Sequence, residues 1–381
     1  MGSRYLNLQP DTMNSASSAS RLASLDALRG FDMLMISGGG AFLSLMGGKT
    51  NIGFIDAIAA QFHHPDWDGF TFYDFIFPLF LFMAGVSLSI SLKNGIAKGI
   101  PQSKLLEKVF KRMLILFFLG ILDKNAPVDF FDPALIRYGT VLGRIGIATF
   151  LVAILYLNTG WKTHLIVAFA ILGLYYAALM LISVGDYGGG DLTFEGNLVG
   201  WIDRSFMPGR LKQTTYDELA MTTQLSATCL TIFGSLAGKV LLDKTTANIK
   251  LIRLIGMGAI GIAAGLAWAT VFPLNKHLWS SSFILLTAGM ACLLVALFYW
   301  VMDVLKFTKW AFFFKVIGMN SLVIYMACRF VNFGESSRLL FAGLYGHAPE
   351  KWHEVFNALG GLILVWLVLY VMYRHKIFVK V

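Results

Sequence analysis

Apolar stretches of about 18 to 22 residues recur along the chain, with polar segments between them. A stretch of this length crosses a hydrocarbon core of roughly 30 Å as an α-helix, whereas a barrel strand is about half as long and alternates polar with apolar positions. The pattern therefore predicts an all-α, polytopic membrane protein. The predicted spans, about ten in number, are 25–46, 73–92, 112–122, 139–157, 163–183, 222–241, 252–272, 280–301, 312–331 and 357–373.

The composition agrees with that prediction. Of the 381 residues, 57% are hydrophobic and 14% are charged, and the mean hydropathy is +0.68. These values lie outside the range of soluble globular domains. Residues 1–20 contain no apolar stretch, so we expect a flexible tail ahead of a membrane domain at 21–381. The three cysteines lie inside apolar runs without the spacing of a metal site or a disulfide framework, and no metal is predicted.

The positive charges are distributed unevenly between the two sides of the membrane. Of the 31 lysine and arginine residues, 19 fall on the side of the N-terminus, nine on the other side and three within spans. The positive-inside rule therefore predicts that both termini are cytosolic. Spread over loops in this way, the net charge of +9 does not indicate a nucleic-acid-binding protein. The long polar loops then lie outside, at 47–72, 123–138, 184–221 and 332–356.

Ionisable residues within spans are costly unless they are paired or line a cavity, so each is a candidate for function. Asp26, Arg29 and Asp32 are three residues apart, near one face of the first helix. That face points inward in the functional interpretation; alternatively, Arg29 extends to water between two capping acids. We assign Asp26 and Asp32 structural roles. Asp74 and Arg144 lie at similar depths, and we expect them to lie close together as a structural pair or network.

The segment HHPDWDGFTFYDF holds a dense polar cluster just before an apolar run. An imidazole near the outer surface exchanges a proton at ambient pH, and neighbouring carboxylates orient it or raise its basicity. Adjacent histidines do not readily chelate one metal ion, and no HxxxH or HExxH spacing is present. The residues alone leave open whether His63 and His64 are reactive or are surface residues of a loop with no chemical role. The neighbouring carboxylates are those of Asp66, Asp68 and Asp74.

Two further polar groups have alternative interpretations. Asp68 or Thr71 is expected to cap the N-terminus of the second span. Asn320, Ser321 and Tyr325 lie within a late span, where they either join helices through hydrogen bonds or line a pocket.

Four sequence blocks then occur in the order and spacing of one family. They are RLASLDALRGFDM at 21–33, HPDWDGFTFYDFIFPLFLFMAGVS from residue 64, RYGTVLGRIGI at 137–147 and IGMNSLVIYM from residue 317. Together they cover most of the membrane domain, which resembles the heparan-alpha-glucosaminide N-acetyltransferase family and its bacterial relatives. The most specific block, H-x-x-W-x-G-x-T-x-x-D, comprises His64, Trp67, Gly69, Thr71 and Asp74.

The resemblance implies a membrane acyltransferase, here of a bacterial inner membrane, that moves an acetyl group from cytosolic acetyl-CoA to an amino sugar or other sugar outside. It also implies that His64 rather than His63 is catalytic, as a general base or through a transient acetyl-imidazole. Asp68 or Asp74 would then orient the ring. The residues expected at acetyl-CoA are Arg29, Asn320, Ser321 and Tyr325. Those expected at the acceptor are Asp66, Trp67 and Trp201.

The chain departs from the family pattern at two places. Mammalian members carry an asparagine before their glycine triplet that acts with the histidine, whereas Ile36 and Ser37 precede Gly38 here. Gly143 stands where a glutamine is common. These departures indicate a different acceptor chemistry, and a sugar, a peptidoglycan fragment or a polysaccharide end would each suit the loop 184–221.

A proton-coupled small-molecule transporter is the alternative from another functional class. Its relay would comprise Asp26, Arg29, Asp32, Asp74 and Arg144. Against it, the sequence has no repeated halves and no paired Gly- or Pro-broken helices. Either function requires the lipid bilayer as a partner. A homodimer is the commonest closed assembly, but the sequence does not specify the oligomeric state.

Overall fold

The computed structural model describes residues 22–129 and 131–379, so the predicted tail at 1–20 lies outside the described residues. The described chain is mostly helical, which confirms the all-α class. Two short strands, β1 (Ser183–Val184) and β2 (Tyr187–Gly188), pair antiparallel. The fifteen α-helices of the described ranges are α1 (Ala23–Leu34), α2 (Gly40–Ser44), α3 (Gly53–Ala60), α4 (Phe72–Ala97), α5 (Gln102–Asn125), α6 (Val141–Asn158), α7 (Trp161–Leu181), α8 (Leu198–Phe206), α9 (Thr222–Leu242), α10 (Ala247–Trp268), α11 (Ser281–Phe298), α12 (Phe312–Met319), α13 (Ser321–Phe330), α14 (Phe333–Tyr345) and α15 (His353–Arg374).

Every predicted span falls on a helical segment. Among the described residues, seven helices are long and apolar enough to cross a membrane, and the pair α12 and α13, bent by 62°, raises the number to eight if it is one span. The chain is therefore a multi-pass integral membrane protein. The seven are Phe72–Ala97, Val141–Asn158, Trp161–Leu181, Thr222–Leu242, Ala247–Trp268, Ser281–Val304 and Glu350–Arg374.

The other two predicted spans, 25–46 and 112–122, are not among these helices. The first is divided into α1, a π-helical turn at Met35–Gly39 and α2, because Gly38 takes a φ of 129° that residues with a side chain rarely adopt. The second belongs to α5, which carries too many charged residues to form an uninterrupted apolar stretch. A count of ten crossings therefore stays a prediction.

Helices α4, α9 and α11 form the interior of the bundle. Between 67% and 78% of their most apolar stretches is buried inside the protein, whereas the share is 17% in α10 and 28% in α7. Two glycines allow α4 and α9 to approach closely. A Cβ at Gly85 would clash with the carbonyl of Thr231, and one at Gly234 would clash with the carbonyl of Phe82. The interior position of α4 matters for the site, because the polar cluster of the sequence lies at its start.

The segments predicted as external loops carry structure of their own. Helix α3, the two strands with α8, and helix α14 lie in the first, third and fourth of them. Arg137 of the second segment and Asp217 of the third form a buried pair, in which Nε and Nη2 donate to the two carboxylate oxygens at 2.6 and 2.7 Å. The third segment also contacts the polar cluster, since Leu192 accepts a hydrogen bond from Trp67. An ordered layer therefore surrounds the start of α4.

Candidate active site

The N-terminus of α4 positions Asp74. Thr71, one of the two predicted caps, is the N-cap residue, and Asp74 lies at the third helical position. Asp74 Oδ2 accepts hydrogen bonds from the backbone N–H of Thr71 at 3.0 Å and from its hydroxyl at 3.2 Å. The T-x-x-D spacing thus holds one carboxylate oxygen of a buried side chain and leaves the other for a second partner.

Asp74 Oδ1 binds an imidazole and an ammonium. His64 Nδ1 donates to it at 2.6 Å and Lys276 Nζ at 3.2 Å. The side chain of Asp74 is 1% exposed, whereas that of His64 is 45% exposed. A buried carboxylate therefore holds an accessible imidazole, which is an arrangement that orients a histidine for proton transfer.

The two adjacent histidines have different surroundings. His63 is exposed, and its Nε2 lies 2.9 Å from Ser44 Oγ. Within the described ranges His63 makes no ion pair with a carboxylate. His64, by contrast, binds Asp74 and stacks on Tyr73, with ring centroids 4.8 Å apart and an angle of 15°. The structure thus distinguishes two residues that composition treats alike, and His64 has the surroundings of a proton-transfer group.

The segment that precedes α4 is pinned to a loop about two hundred residues away in sequence. Asp68 Oδ1 accepts a hydrogen bond from Asn275 Nδ2 at 3.0 Å, and the backbone N–H of Gly69 donates to the carbonyl of Leu274 at 2.9 Å. Gly69 has a φ of 129°, which accounts for the glycine of the motif. Asp68 was one of the two acids expected to orient the imidazole, but it instead holds the loop that carries Lys276.

Trp67 anchors the motif to the layer of loops. Its ring stacks on His277, with centroids 5.2 Å apart and an angle of 5°. Phe194 and Tyr216 meet the same ring edge-on. Its Nε1 donates to the carbonyl of Leu192 at 2.8 Å. These contacts give Trp67 a structural role, and its predicted contact with an acceptor stays a prediction.

Charges of both signs are matched around this cluster. Burial lowers the pKa of Lys276, and the carboxylates of Asp74 and Glu218 oppose that shift. Burial alone would raise the pKa of Glu218, but the hydrogen bond from His277 and the ammonium of Lys212 hold it below the usual range. The imidazole therefore lies beside a balanced set of ammonium and carboxylate groups rather than in a field of one sign.

A cavity of about 350 Å³ lies farther along α4, where α1, α5, α6 and the bend between α12 and α13 meet it. Arg29 and Arg112 line the cavity, and Arg29 Nη2 donates to Ser87 Oγ at 2.7 Å. Ser321 and Tyr325 line it from α13. Three of the four residues predicted at the donor therefore share one cavity. Its two guanidinium groups suit an anionic ligand.

The spacing along α4 relates the cavity to the histidine. The residues of α4 that line the cavity extend from Phe80 to Ser91. At ~1.5 Å per residue, Phe80 lies about 9 Å and Ser87 about 20 Å from Asp74 along the helix axis. The cavity thus begins within two helical turns of the His64–Asp74 pair and has its arginines near the far end.

Asn320 differs from the prediction that it contacts the donor. Its Nδ2 donates to the carbonyl of Ile377 at 2.9 Å, and its Oδ1 accepts from the backbone N–H of Val379 at 3.1 Å. Both polar atoms of its amide are used by the C-terminal segment, and Asn320 does not line the cavity in the described part of the chain. Val379 does line it, so Asn320 shapes the cavity through the backbone that it holds.

The remaining residues predicted at the acceptor are Asp66 and Trp201. Asp66 is exposed in the same loop as His64. Trp201 lies on α8 and meets Phe206 edge-on at 6.2 Å. No hydrogen bond or ring contact among the described residues joins Asp66 or Trp201 to His64, so their contact with an acceptor stays a prediction.

The predicted pair of Asp74 and Arg144 is wrong. Arg144 is buried, donates to the hydroxyl of Thr223 and lies 4.7 Å from the centroid of the Trp279 ring. The cation that binds Asp74 is Lys276, which a loop supplies. The prediction failed because similar depth in the membrane does not determine which way a side chain points around its helix.

The three ionisable residues of the first helix are only partly connected. Arg29 Nη1 donates to Asp26 Oδ1 at 3.4 Å. Asp32 is fully buried, and its carboxylate oxygens make no hydrogen bond within the described residues. The structural roles assigned to Asp26 and Asp32 stay predictions.

Known proteins are similar to this chain over the residues that form the site. A family model described as a domain of unknown function, DUF5009, matches residues 21–202. The heparan-alpha-glucosaminide N-acetyltransferase of Homo sapiens is 26% identical over 435 residues, which cover 98% of this chain. The Mus musculus protein of the same name is 26% identical over 432 residues with the same coverage. The chain is a relative of the heparan-alpha-glucosaminide N-acetyltransferase family.

The chain spans 62% of the length of each of these two relatives of the N-acetyltransferase family. The departure from the family pattern before the glycine triplet has a structural counterpart. Ile36 lines the cavity and packs against the same apolar cluster as Tyr73, whose ring stacks on His64. In this relative of the family, an apolar side chain therefore lines the cavity at the position before the glycine triplet.

Two residues of the site were not predicted from the sequence. Arg112 is the first residue of the predicted span 112–122, and Lys276 lies in a short segment between two spans. Neither stretch belongs to the blocks that resemble the N-acetyltransferase family. The available signal for Lys276 was that the charge distribution places it on the same predicted side as His64.

Proposed function

We propose that this protein is a membrane acetyltransferase that moves an acetyl group from acetyl-CoA to an amino sugar or related sugar, with His64 as the general base. The observation that carries the proposal is the arrangement along α4, where a cavity with two arginines begins within two turns of a carboxylate-bound histidine. The reaction class comes from the names of the curated relatives.

The donor fits the cavity by charge and by length. Arg29 and Arg112 would bind the phosphates of coenzyme A. The extended pantetheine arm spans on the order of 15 to 20 Å. A similar distance of about 20 Å separates Ser87, which binds Arg29, from Asp74 along the helix axis. The thioester would thus reach the level of the imidazole while the nucleotide stays at the arginines.

The proposed chemical step is a direct attack on the thioester. The nitrogen of an uncharged acceptor amine bonds to the carbonyl carbon, the C–S bond breaks and coenzyme A leaves as a thiolate. His64 Nε2 takes the amine proton, because its Nδ1–H is held by Asp74 at 2.6 Å. Asp74 would also stabilise the imidazolium that forms. Thr71 fixes the carboxylate and therefore the orientation of the ring.

The two substrates would approach from opposite faces of a bacterial inner membrane. With both termini cytosolic, the arginine end of the cavity lies toward the cytosol and the His64 loop lies outside. The 45% exposure of the His64 side chain leaves room for an acceptor. Asp66, Trp67 and Trp201 are the residues proposed to contact a sugar.

The test uses the full chain in lipid nanodiscs with labelled acetyl-CoA and a panel of amino sugars and cell-wall fragments. Acetylated product identified by mass spectrometry supports the proposal, and binding of acetyl-CoA without product from any acceptor contradicts it. Omitting the acceptor separates two routes. Label retained on the protein indicates an acetyl-imidazole, whereas transfer without such label indicates direct attack.

Replacing Arg112 with alanine is expected to raise the KM for acetyl-CoA about 10- to 100-fold, because a charge-assisted contact contributes roughly 1.5–3 kcal/mol. The kcat is expected to change little, since the guanidinium lies far from the reacting atoms. Initial rates against donor concentration measure both constants. The matched control is Lys111→Ala, whose exposed side chain pairs with Glu107 and does not line the described cavity. An equal KM in Arg112→Ala and wild type would exclude this cavity as the donor site.

Proton-coupled transport has less support. Its relay would have to connect Asp74 and Arg144, but the first binds His64 and the second binds Thr223. Among the described residues no hydrogen bond or ion pair joins Asp74 to Arg144. Substrate flux into liposomes in the absence of any acyl donor would favour transport.

A further inference from the structure

Lys276 contacts both members of the His64–Asp74 pair. Its Nζ lies 3.2 Å from Asp74 Oδ1, 3.3 Å from His64 Nδ1 and 3.4 Å from His64 Nε2. The Lys276 side chain is 16% exposed. A largely buried ammonium therefore belongs to the immediate surroundings of the imidazole, although it lies 212 residues away in sequence.

The ammonium lies over the face of the imidazole ring. Its distances to the two ring nitrogens are nearly equal. Since Cε1 and its hydrogen project between those nitrogens, an ammonium in the ring plane at this distance would overlap them. Above the face, it leaves the in-plane lone pair of Nε2 available and acts on the ring through its charge.

The position of Lys276 is built by its neighbours. Asn275 Nδ2 donates to Asp68 Oδ1 at 3.0 Å, and Asn275 Oδ1 accepts from the backbone N–H of Leu278 at 2.7 Å. The carbonyl of Leu274 accepts from the backbone N–H of Gly69 at 2.9 Å. Asp68 and Gly69 therefore hold the backbone just before the ammonium-bearing residue in place, and Asn275 itself links that backbone to Leu278 beyond it.

We propose that Lys276 is a positioning residue whose ammonium opposes protonation of His64, so that the ring remains available as a base. The effect is electrostatic. While Lys276 is an ammonium, Asp74 balances it, and a proton on His64 would leave one uncompensated positive charge in a partly buried cluster. Without the ammonium, the same proton would complete an ion pair with Asp74, which poorly solvated surroundings favour. The catalytic meaning of this inference rests on the proposed function.

The other titratable groups near the ring are held at a distance or by other partners. Glu218 is bound by Lys212 and lies 3.5 Å from His277. Asp68 is bound by Asn275. Of the charged groups in the described structure, Asp74 and Lys276 are the ones with an atom within hydrogen-bond distance of the ring nitrogens. The remaining groups on neighbouring elements are His63, Asp66 and Tyr73.

Diethyl pyrocarbonate, which reacts with uncharged imidazole, measures the protonation of His64 without any turnover. The full-length protein in nanodiscs is labelled over a range of pH in the absence of acetyl-CoA, and tandem mass spectrometry quantifies modification at His64 and separately at His63. In Lys276→Met, we expect the midpoint of His64 labelling to move up by about one pH unit or more. Its labelling rate at pH 7 then falls several-fold, up to about tenfold. Lys276→Arg keeps the charge and is expected to keep the wild-type midpoint.

Two further variants serve as controls. Lys49→Met removes a cation that binds Glu354 rather than the site, and it is expected to leave the midpoint unchanged. Lys276→Gln removes the same charge with a polar side chain and replaces the methionine variant if that variant does not fold. An unchanged midpoint in a folded Lys276→Met or Lys276→Gln protein overturns the inference.

The labelling experiment separates this inference from the proposed function. A shifted midpoint in a protein that transfers no acetyl group supports the role of Lys276 and contradicts the acetyltransferase proposal. Normal acetyl transfer with an unshifted midpoint supports the acetyltransferase proposal and contradicts the role of Lys276. If both hold, the acidic limb of the kcat/KM profile of Lys276→Met moves to higher pH by the same amount as the labelling midpoint, a result that a merely structural role for the lysine would not produce.

Discussion

His64→Ala is expected to lower the rate of acetyl transfer by about 10²- to 10⁴-fold, the range typical for loss of a positioned general base. The loss should appear in kcat, because the donor cavity begins about 9 Å from Asp74 along α4 and does not include the imidazole. The fold should persist, since Asp74 keeps its hydrogen bonds to Thr71 and its ion pair with Lys276. Single-turnover transfer from labelled acetyl-CoA measures the effect.

The neighbouring histidine provides the matched control. His63 has the same residue type one position away, but it contacts Ser44 and is exposed. His63→Ala is therefore expected to change the rate less than about twofold, as a surface substitution. Equal transfer by His64→Ala and wild type would remove the imidazole of His64 from the mechanism. A large loss in His63→Ala alone would assign the chemistry to His63 instead.

Asp217→Ala is expected to destabilise the protein by about 3–5 kcal/mol, the largest effect on stability that we predict. The substitution leaves the guanidinium of Arg137 buried without its carboxylate partner. It also removes the acceptor for the backbone N–H groups of Lys212 and Leu219, which lie 2.9 Å from the carboxylate oxygens. The apparent melting temperature in detergent should fall on the order of 10 °C.

An exposed ion pair provides the comparison for that measurement. Glu335 and Arg338 pair on the surface of α14, where both side chains are more than half exposed. Glu335→Ala is expected to cost less than about 1 kcal/mol, because solvent screens such pairs. Equal melting temperatures for Asp217→Ala and Glu335→Ala would contradict the view that the buried pair joins the loops around the start of α4.

The positions of the helices followed from the sequence because burial in lipid leaves few alternatives. An apolar stretch of membrane length can satisfy its backbone hydrogen bonds only by forming a helix, so every predicted span falls on one. The exceptions have local causes. Gly38 breaks the first predicted span into two helices, whereas the third lies within the continuous helix α5, whose charged residues leave it no apolar stretch of membrane length. A span was therefore predictable as a helix, but not as a straight, uninterrupted one.

The site was predictable where its parts are neighbours in sequence. The T-x-x-D spacing of Thr71 and Asp74 specifies a capping box within one helical turn, and His64 lies ten residues before its carboxylate partner. Arg29, Ser321 and Tyr325 were assigned to the donor from the resemblance and from their predicted depth, and they do share a cavity. Asn320, adjacent to one of them, turns away to bind the C-terminal segment.

The sequence by itself determined an all-α membrane protein with an imidazole and a carboxylate at the start of its second span, because lipid burial and capping act over short stretches of chain. The tertiary structure alone decided which cation faces that carboxylate. Lys276 reaches Asp74 and Arg144 does not, because the partner of a charged side chain depends on how distant loops and helix faces come together in space. Depth along a span carries no information about that arrangement.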